Sequence, residues 1–227
     1  MTFTYVYQNV YPNRIELGIG RAPGSDQDTA RALAYPKPVA DINHFPQQVL
    51  DLMGFLSGVL PDEHPFSHVQ AHPGSVHESI PAVWLLGSSD YSARLAAALG
   101  LPFSFADFFG TTAEHGPMIA ELYRQQFRPS SYLKEPKFNV ALQVICADSQ
   151  EKADAMISSR NISRVNALKG IREPLISPEE AAEIVFTPFE QQHIDRANRF
   201  LIIGTPEIVK NGILEASEIY GTKDISI

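Results

Sequence analysis

The chain has 227 residues, of which 44% are hydrophobic and 10% aromatic, enough to build a sizeable core. Its formal net charge of −8 argues against a nucleic-acid-binding surface, where a basic stripe is expected. A single cysteine excludes an intramolecular disulfide framework. The first ten residues do not form a secretory signal, and no stretch reaches the roughly 20 apolar residues that cross a membrane. We therefore expect a cytoplasmic protein that binds neither nucleic acid nor membrane.

Short apolar runs alternate with helical patterns along the chain. The runs predict strands over residues 14–20, 82–86, 102–109, 137–147 and 223–227. Apolar spacing, capping residues and glycine stops predict helices over residues 44–55, 88–99, 118–127, 148 onward, 177 onward, 189–199 and 205–221. This alternation favours an α/β fold with a parallel sheet, either a barrel or a doubly wound fold. We expect a single domain over residues 1–227.

The strongest local signal is WLLGSSDYSARLAAALGLP, from Trp84 to Pro102. It predicts a strand, then a glycine, then hydroxyl residues at the start of a helix. Free backbone N–H groups and the helix dipole make such a place suitable for an anion, commonly a phosphate. The alternative is that Ser88 or Ser89 simply caps the helix.

A second signal is the segment Gly18-Ile19-Gly20-Arg21-Ala22-Pro23-Gly24. Arg21 falls just after a predicted strand and offers a planar, charged fork suited to phosphate. The glycine spacing does not match a dinucleotide-binding fingerprint. Arg21 could equally form a structural salt bridge.

Histidines and the cysteine provide weaker signals. The cluster His64, His68, His72 and His77 suggests a metal site, but prolines interrupt the segment, so a surface loop is the favoured interpretation. Cys146 lies in an apolar run and is expected to be a buried small hydrophobe. The alternative, a nucleophile, has no base that the sequence identifies.

Four blocks, in order, resemble the bacterial-luciferase-like flavin monooxygenases. YPNRIELGIGRAPGSDQ resembles the fourth strand of that family, and WLLGSSDYSARLAAALGLPFSFADFF resembles the region around its flavin-phosphate contact. FNVALQVICADSQEKADAM resembles the seventh strand and the next helix, and IGTPEIVKNGILEASEIYGTKDISI resembles the closing segment to the eighth strand. Each block alone is modest, but the four together are specific.

The resemblance implies a TIM-type (β/α)8 barrel, of which this chain holds roughly strands 4 to 8. It also implies an FMN-dependent monooxygenase that receives reduced FMN from a separate flavin reductase. Such an enzyme uses O2 to oxygenate a small organic substrate, with the flavin carrying the chemistry and the protein excluding water. Family habit implies a homodimer.

The resemblance also assigns cofactor-binding residues. Arg21 matches the arginine that meets the FMN phosphate, Ser89 and Ser92 match hydroxyl residues of that site, and Ser88 supplies backbone contacts. Two strand-end residues match positions near the flavin ring, namely Leu86 and Gly87. Residues 164–200 fall where the family has a mobile active-site loop.

The sequence departs from the family at its N-terminal end. It has no counterpart of the first three strands or of the Glu-His-His motif with the catalytic histidine, so the catalytic residues are unknown. Met1–Val10 does not resemble the family's preceding helix. An open sheet would expose its edges, which suggests a homodimer, a complementing N-terminal piece, or an inactive truncated remnant. A non-catalytic flavin- or phosphate-binding protein is the alternative function.

Overall fold

A computed structural model describes residues 2–22, 27–38, 41–71, 80–109 and 113–227. The chain divides into two compact units. The first comprises Met1–Ser104 and Leu122–Lys137, and the second comprises Phe105–Glu121 and Phe138–Ile227. The expectation of a single domain remains a prediction.

Nine α-helices and seven strands lie in the described part of the chain. The helices are α1 (Thr2–Val10), α2 (Gln27–Ala34), α3 (Phe45–Ser57), α4 (Asp90–Leu99), α5 (Gly116–Gln126), α6 (Gln150–Leu168), α7 (Pro178–Ala181), α8 (Pro188–Asn198) and α9 (Pro206–Tyr220). The strands are β1 (Glu16–Gly20), β2 (Ala82–Gly87), β3 (Phe103–Ala106), β4 (Phe138–Ala141), β5 (Val144–Cys146), β6 (Ile202–Gly204) and β7 (Ile225–Ser226).

The first unit is built on the parallel pair β1 and β2, and β3 neighbours β2. Glu16 pairs with Ala82 at one end of the pair, and Gly20 pairs with Leu86 at the other. Because the two strands run in the same direction and end in register, the residues that follow them lie at the same edge of the sheet. This register positions the candidate site.

Helix α4 packs closely on this sheet because its inner face carries small side chains. Ala93, Ala96 and Ala97 are fully buried, and the helix contacts β2. The helix ends at Gly100, which has a left-handed φ of 63°. A Cβ at Gly100 would lie 2.5 Å from the carbonyl oxygen of Arg128, so both the conformation and the space require glycine. The predicted helix and its stop are confirmed.

In the second unit, β3, β4 and β7 are neighbours in that order, and β5 pairs with β6 in a separate two-stranded sheet. The β4–β7 and β5–β6 pairs are parallel. The prediction of one strand over residues 137–147 was therefore wrong. The backbone N–H of Leu142 donates to Ser226 O at 2.9 Å, whereas the carbonyl of the next residue, Gln143, accepts from Ile202 N at 3.3 Å. The chain exchanges one pairing partner for another at this point, which splits the apolar run into two strands.

Thr2–Val10 forms α1, although no element was predicted there. Two other local predictions need correction. The strand predicted over residues 102–109 ends at Ala106, and Asp107–Phe109 forms a 3₁₀ turn. Cys146 is exposed rather than buried, because it ends a short strand whose paired residue is Gly204, which has no side chain to cover it.

Helix caps match the predictions in the second unit. Ser149 caps α6 by accepting from the backbone N–H of Lys152, and Ser177 begins α7 with a capping box. Helices α7 and α8 both lie within residues 164–200, where a mobile loop is expected.

The strand order of neither unit closes on itself among the described residues. The α/β class with parallel strands is confirmed, in the open form expected for part of a barrel. No helix within the described ranges is both long enough and apolar enough to span a membrane.

Candidate functional site

The carboxyl ends of β1 and β2 bring the first two candidate segments together. Arg21 directly follows β1, and the register pairs the last residue of β1, Gly20, with Leu86. The Cζ atom of Arg21 lies 4.3 Å from the centroid of the Tyr91 ring, in the first turn of α4. This cation–π contact holds the guanidinium beside the start of the helix. None of the described carboxylates pairs with Arg21.

Ser89 occupies the N-cap position of α4 with extended backbone angles, φ −138° and ψ 162°. Within the described chain its hydroxyl makes no capping hydrogen bond. The alternative in which Ser89 serves only as a side-chain cap is therefore not supported. The N–H groups of the first helical turn have no intrahelical acceptor, and they carry the positive end of the helix dipole. This arrangement can accept an anion.

Gly87 allows α4 to approach the end of β2. A Cβ at this position would lie 2.5 Å from the Cβ of Ser92 and would also collide with its hydroxyl oxygen. Ser92 is buried, with 6% of its surface exposed. Gly87 and Ser92 thus form a tight contact between the end of β2 and α4. Ser88 and Ser89, which connect the strand to the helix, are half-buried.

Leu86 gives the site an apolar part. It is 40% exposed, although it belongs to a strand whose three preceding residues are buried. Its side chain lies where Gly18 has none: a Cβ on Gly18 would lie 2.9 Å from Leu86 Cδ1. The glycines of β1 therefore leave room for an exposed leucine at the sheet edge, a surface suited to a planar ring.

Asp90 places a negative charge close to these residues in the chain. Asp90 is the first residue of α4, and its carboxylate lies 3.5 Å from Nε of Arg94. Both side chains are more than half exposed, so the pair is weak and screened by salt. The carboxylate of Asp90 stabilises the helix, because it lies at the positive end of the helix dipole. An external anion would have to share this positive end with the carboxylate.

Tyr91 is the residue that the sequence analysis missed. Its ring contacts Arg21, which lies 70 residues earlier in the chain. The sequence offered one indication that Tyr91 belongs to the site, namely its position two residues after Ser89 in the first turn of the helix. No amino-acid pattern around Arg21 indicates that this ring would be its partner.

The histidine segment has a structural role as far as the chain is described. His64 Nε2 lies 3.4 Å from Asp51 Oδ1, and its Nδ1 accepts from the backbone N–H of Phe66 at 3.2 Å. His68 is exposed. Two of the four histidines lie outside the described residues, namely His72 and His77. No group of three or more metal-ligating side chains occurs in the described part of the chain.

The fold is that of an α/β protein in which Arg21 and the start of α4 lie together at the ends of two parallel strands. The sequence profile of the luciferase-like monooxygenases matches residues 5–223. The chain belongs to the luciferase-like monooxygenase family, and the resemblance inferred from the sequence is confirmed.

Individual relatives agree with this assignment. The uncharacterized protein YvbT of Bacillus subtilis is 39% identical over 203 residues, which cover 89% of this chain and 58% of YvbT. A luciferase-like monooxygenase of Escherichia coli K12 is 38% identical over 204 residues, which cover 90% of this chain and 58% of the relative. The chain therefore spans less than two thirds of the length of these relatives.

Solved structures share the fold. The crystal structure of apo-MsnO8 superposes with a TM-score of 0.75 at 24% identity, covering 98% of this chain and 64% of that one. The oxygenating constituent of 3,6-diketocamphane monooxygenase of Pseudomonas putida, in complex with FMN, superposes with a TM-score of 0.58 at 16% identity, covering 99% and 67%. The expected fold, an open part of a TIM-type barrel, is consistent with these neighbours.

Proposed function

We propose that the chain binds the phosphate of FMN where β1 and β2 end, and that it belongs to a flavin-dependent monooxygenase. The observation that carries the proposal is the position of Arg21 on the Tyr91 ring, beside a helix start whose N-cap serine makes no capping bond. A guanidinium that follows β1 then lies beside the backbone N–H groups in the first turn of α4. That combination suits a doubly charged phosphate.

The residues present fit each part of the cofactor. Arg21 and the N–H groups of Ser88 and Ser89 would hold the phosphate, and Gly87 lets the helix approach closely enough to do so. The exposed side chain of Leu86 would lie against the flavin ring. Ser92 is buried beneath Gly87, so its contribution is to hold the helix start in place.

When bound, reduced FMN would supply the chemistry with O2 that oxygenates a small organic substrate. The chain's own residues bind and orient the cofactor and exclude water from part of it. The P. putida neighbour was solved with FMN, which supports the choice of cofactor. A flavin reductase as the source of reduced FMN, and a homodimer or a complementing N-terminal piece, belong to the same proposal.

A non-catalytic flavin- or phosphate-binding protein is the second candidate. It is favoured by one observation: the phosphate-binding residues all lie in the first unit, whereas no catalytic residue has been identified. Oxygenation of an aldehyde, sulfur or amine substrate by the isolated chain with reduced FMN would exclude it.

The test is a titration of the purified chain with oxidised and then reduced FMN, followed by flavin fluorescence. We expect saturable binding that inorganic phosphate weakens. Replacing Arg21→Ala should lower the affinity about tenfold or more, since a hydrogen bond to a charged group contributes about 1.5–3 kcal/mol. Arg31→Ala is the matched control, because Arg31 is an exposed residue of the same unit that pairs with nearby Asp28. Equal affinities of the two variants would contradict the site.

A further inference from the structure

The first unit contains a cavity of about 830 Å³ beside the amino ends of β1 and β2. The first residue of each strand lines it, Glu16 in β1 and Ala82 in β2. Its apolar walls include Met53 and Leu56 of α3 and Leu101, which precedes β3. A cavity of this size, with mainly apolar walls and a few polar groups, can accept a small organic molecule.

Gln8 of α1 offers this cavity a hydrogen-bond donor. The residue lines the cavity, and only 3% of its surface is exposed. Its Oε1 accepts from the backbone N–H of Ile15 at 3.3 Å, which assigns the other end of the amide to Nε2. Nε2 carries two N–H donors and has no acceptor among the described residues. A donor that is buried without an acceptor is costly.

A molecule in the cavity can reach this nitrogen. The unpartnered polar atoms that are sealed from the surface in the described chain are Trp84 Nε1, Asp107 Oδ1 and Ser159 Oγ. Nε2 of Gln8 is not one of them, so it keeps accessible surface. Because the rest of Gln8 is almost wholly buried and the residue lines the cavity, that surface faces the cavity. The missing acceptor can therefore come from a molecule that enters.

The charges around the cavity indicate that this molecule is neutral. Among the described residues that line it, the charged ones are Glu16 and Lys137, one of each sign. Their Oε1 and Nζ atoms lie 3.3 Å apart, and Nζ of Lys137 also lies 4.6 Å from the centroid of the Trp84 ring. The two charges pair with each other, so the lining has no net charge with which to attract an ion.

The hydrogen-bonding needs of the cavity indicate which functional group fits it. An alcohol or an amine would accept from Nε2 of Gln8, but it would also bring an O–H or N–H donor of its own into apolar surroundings. A carbonyl oxygen only accepts hydrogen bonds. It therefore satisfies Gln8 without leaving another donor unsatisfied.

We propose that this cavity binds a small neutral carbonyl compound, whose oxygen accepts from Nε2 of Gln8 and whose hydrocarbon part packs against Met53 and Leu56. The site is separate from the proposed phosphate site, because the cavity adjoins the first residues of β1 and β2, whereas Arg21 follows the last residue of β1. The five residues of β1 separate the two ends by roughly 15 Å. Binding here does not require FMN, so the two proposals can fail independently.

The first experiment titrates the full chain, without flavin, with acetophenone and with ethylbenzene, which differ in that a carbonyl group replaces a methylene group. Calorimetry measures binding, and heteronuclear NMR follows the side-chain N–H signals of Gln8. We expect saturable binding of acetophenone and a downfield movement of a Gln8 N–H signal that ethylbenzene does not produce, since only the carbonyl oxygen accepts a hydrogen bond. No saturable binding of acetophenone, or the same movement with both ligands, would overturn the proposal.

A pair of variants locates the binding. Gln8→Met keeps the length of the side chain but removes the donor, and we expect it to lower acetophenone affinity about fivefold or more while ethylbenzene affinity stays nearly unchanged. Gln126→Met is the matched control, because it removes an exposed glutamine of the same unit that does not line the cavity. An unchanged ratio of the two affinities in Gln8→Met, or an equal change in both variants, would contradict the assignment. If Gln8→Met does not fold, the NMR comparison on the unmodified chain still decides the question.

Discussion

The N-cap residues of α4 and α6 have nearly the same backbone angles, but their side chains differ in hydrogen bonding. Ser89 and Ser149 are both N-cap residues that follow a strand, with φ and ψ of −138° and 162° at Ser89 and −139° and 159° at Ser149. The hydroxyl of Ser149 accepts from the backbone N–H of Lys152 at 3.3 Å. Ser89 makes no such bond within the described chain. The N-cap side chain of α6 thus accepts from one N–H group of its own helix, whereas that of α4 accepts from none, which leaves these groups open to the phosphate that we propose.

The difference arises from what surrounds each serine. The third helical residue of α6 is Lys152, whose side chain extends to pair with Asp148 at 3.1 Å. Its counterpart in α4 is Ser92, which is buried beneath Gly87. The same local pattern thus forms a simple cap in one unit and lies at the base of the proposed binding site in the other. Packing of the first turn, rather than the N-cap residue, decides which.

The largest expected effect tests the contact beneath α4. Gly87→Ala places a Cβ 2.5 Å from the Cβ of Ser92. Overpacking of this kind should destabilise the chain by about 1–3 kcal/mol and abolish FMN binding. Gly20→Ala, at the end of the neighbouring strand, is the control, since its Cβ would meet Leu86 O at an ordinary 3.5 Å. Denaturant unfolding should separate the two variants, and equal losses would mean that the Gly87 contact has no special role.

The two serines can be compared directly. Ser149→Ala should lower the free energy of unfolding by about 1 kcal/mol, because it removes a capping hydrogen bond. Ser89→Ala should change it by no more than about a few tenths, because it removes none. Urea unfolding followed by circular dichroism provides the measurement. A larger loss in Ser89→Ala than in Ser149→Ala would reverse the comparison.

A carboxyl group at the start of α8 makes the stability of the chain depend on pH. Hydrogen bonds from Lys169 and from Thr187 lower the pKa of Glu190 from 4.5 to about 2. A carboxyl whose folded pKa is depressed contributes stability that is fully present above pH 4.5 and is lost as the pH falls towards 2. Stability measured across this window should fall less steeply in Glu190→Gln than in the unmodified chain. Identical pH profiles would show that the hydrogen bonds that Glu190 accepts at the start of α8 do not contribute to stability.

The smallest expected effect concerns the charge of Asp90. Asp90→Asn removes a negative charge next to the proposed phosphate site, so FMN affinity should rise about two- to threefold at low salt. The gain should shrink as salt screens the interaction of exposed charges. Flavin fluorescence titrations at two ionic strengths measure both effects. A decrease in affinity would place the phosphate elsewhere.

Much of the fold could be predicted because its signals are local. Ser177-Pro178 begins α7, and Gly100 and Gly221 end α4 and α9 in left-handed conformations, as their sequences indicate. The split of residues 137–147 could not be predicted, since it depends on pairing of Leu142 and Gln143 with strands more than fifty residues away. The exposure of Cys146 follows from that same pairing.

The candidate site also combines residues that the sequence could predict with contacts that it could not. Arg21 and Ser89 could be identified because each follows an apolar strand and carries a group suited to phosphate. The stacking of Arg21 on Tyr91 could not, because it joins two segments that only the register of β1 and β2 brings together.

We propose that the start of α4 and Arg21 bind the cofactor through its phosphate. The most direct measurement compares the affinities for FMN and riboflavin, which differ only by that phosphate, in the unmodified chain and in Arg21→Ala. We predict that FMN binds about tenfold or more tightly than riboflavin in the unmodified chain and that Arg21→Ala removes most of this preference. Equal affinities for FMN and riboflavin in the unmodified chain, or a preference unchanged in the variant, would contradict the account.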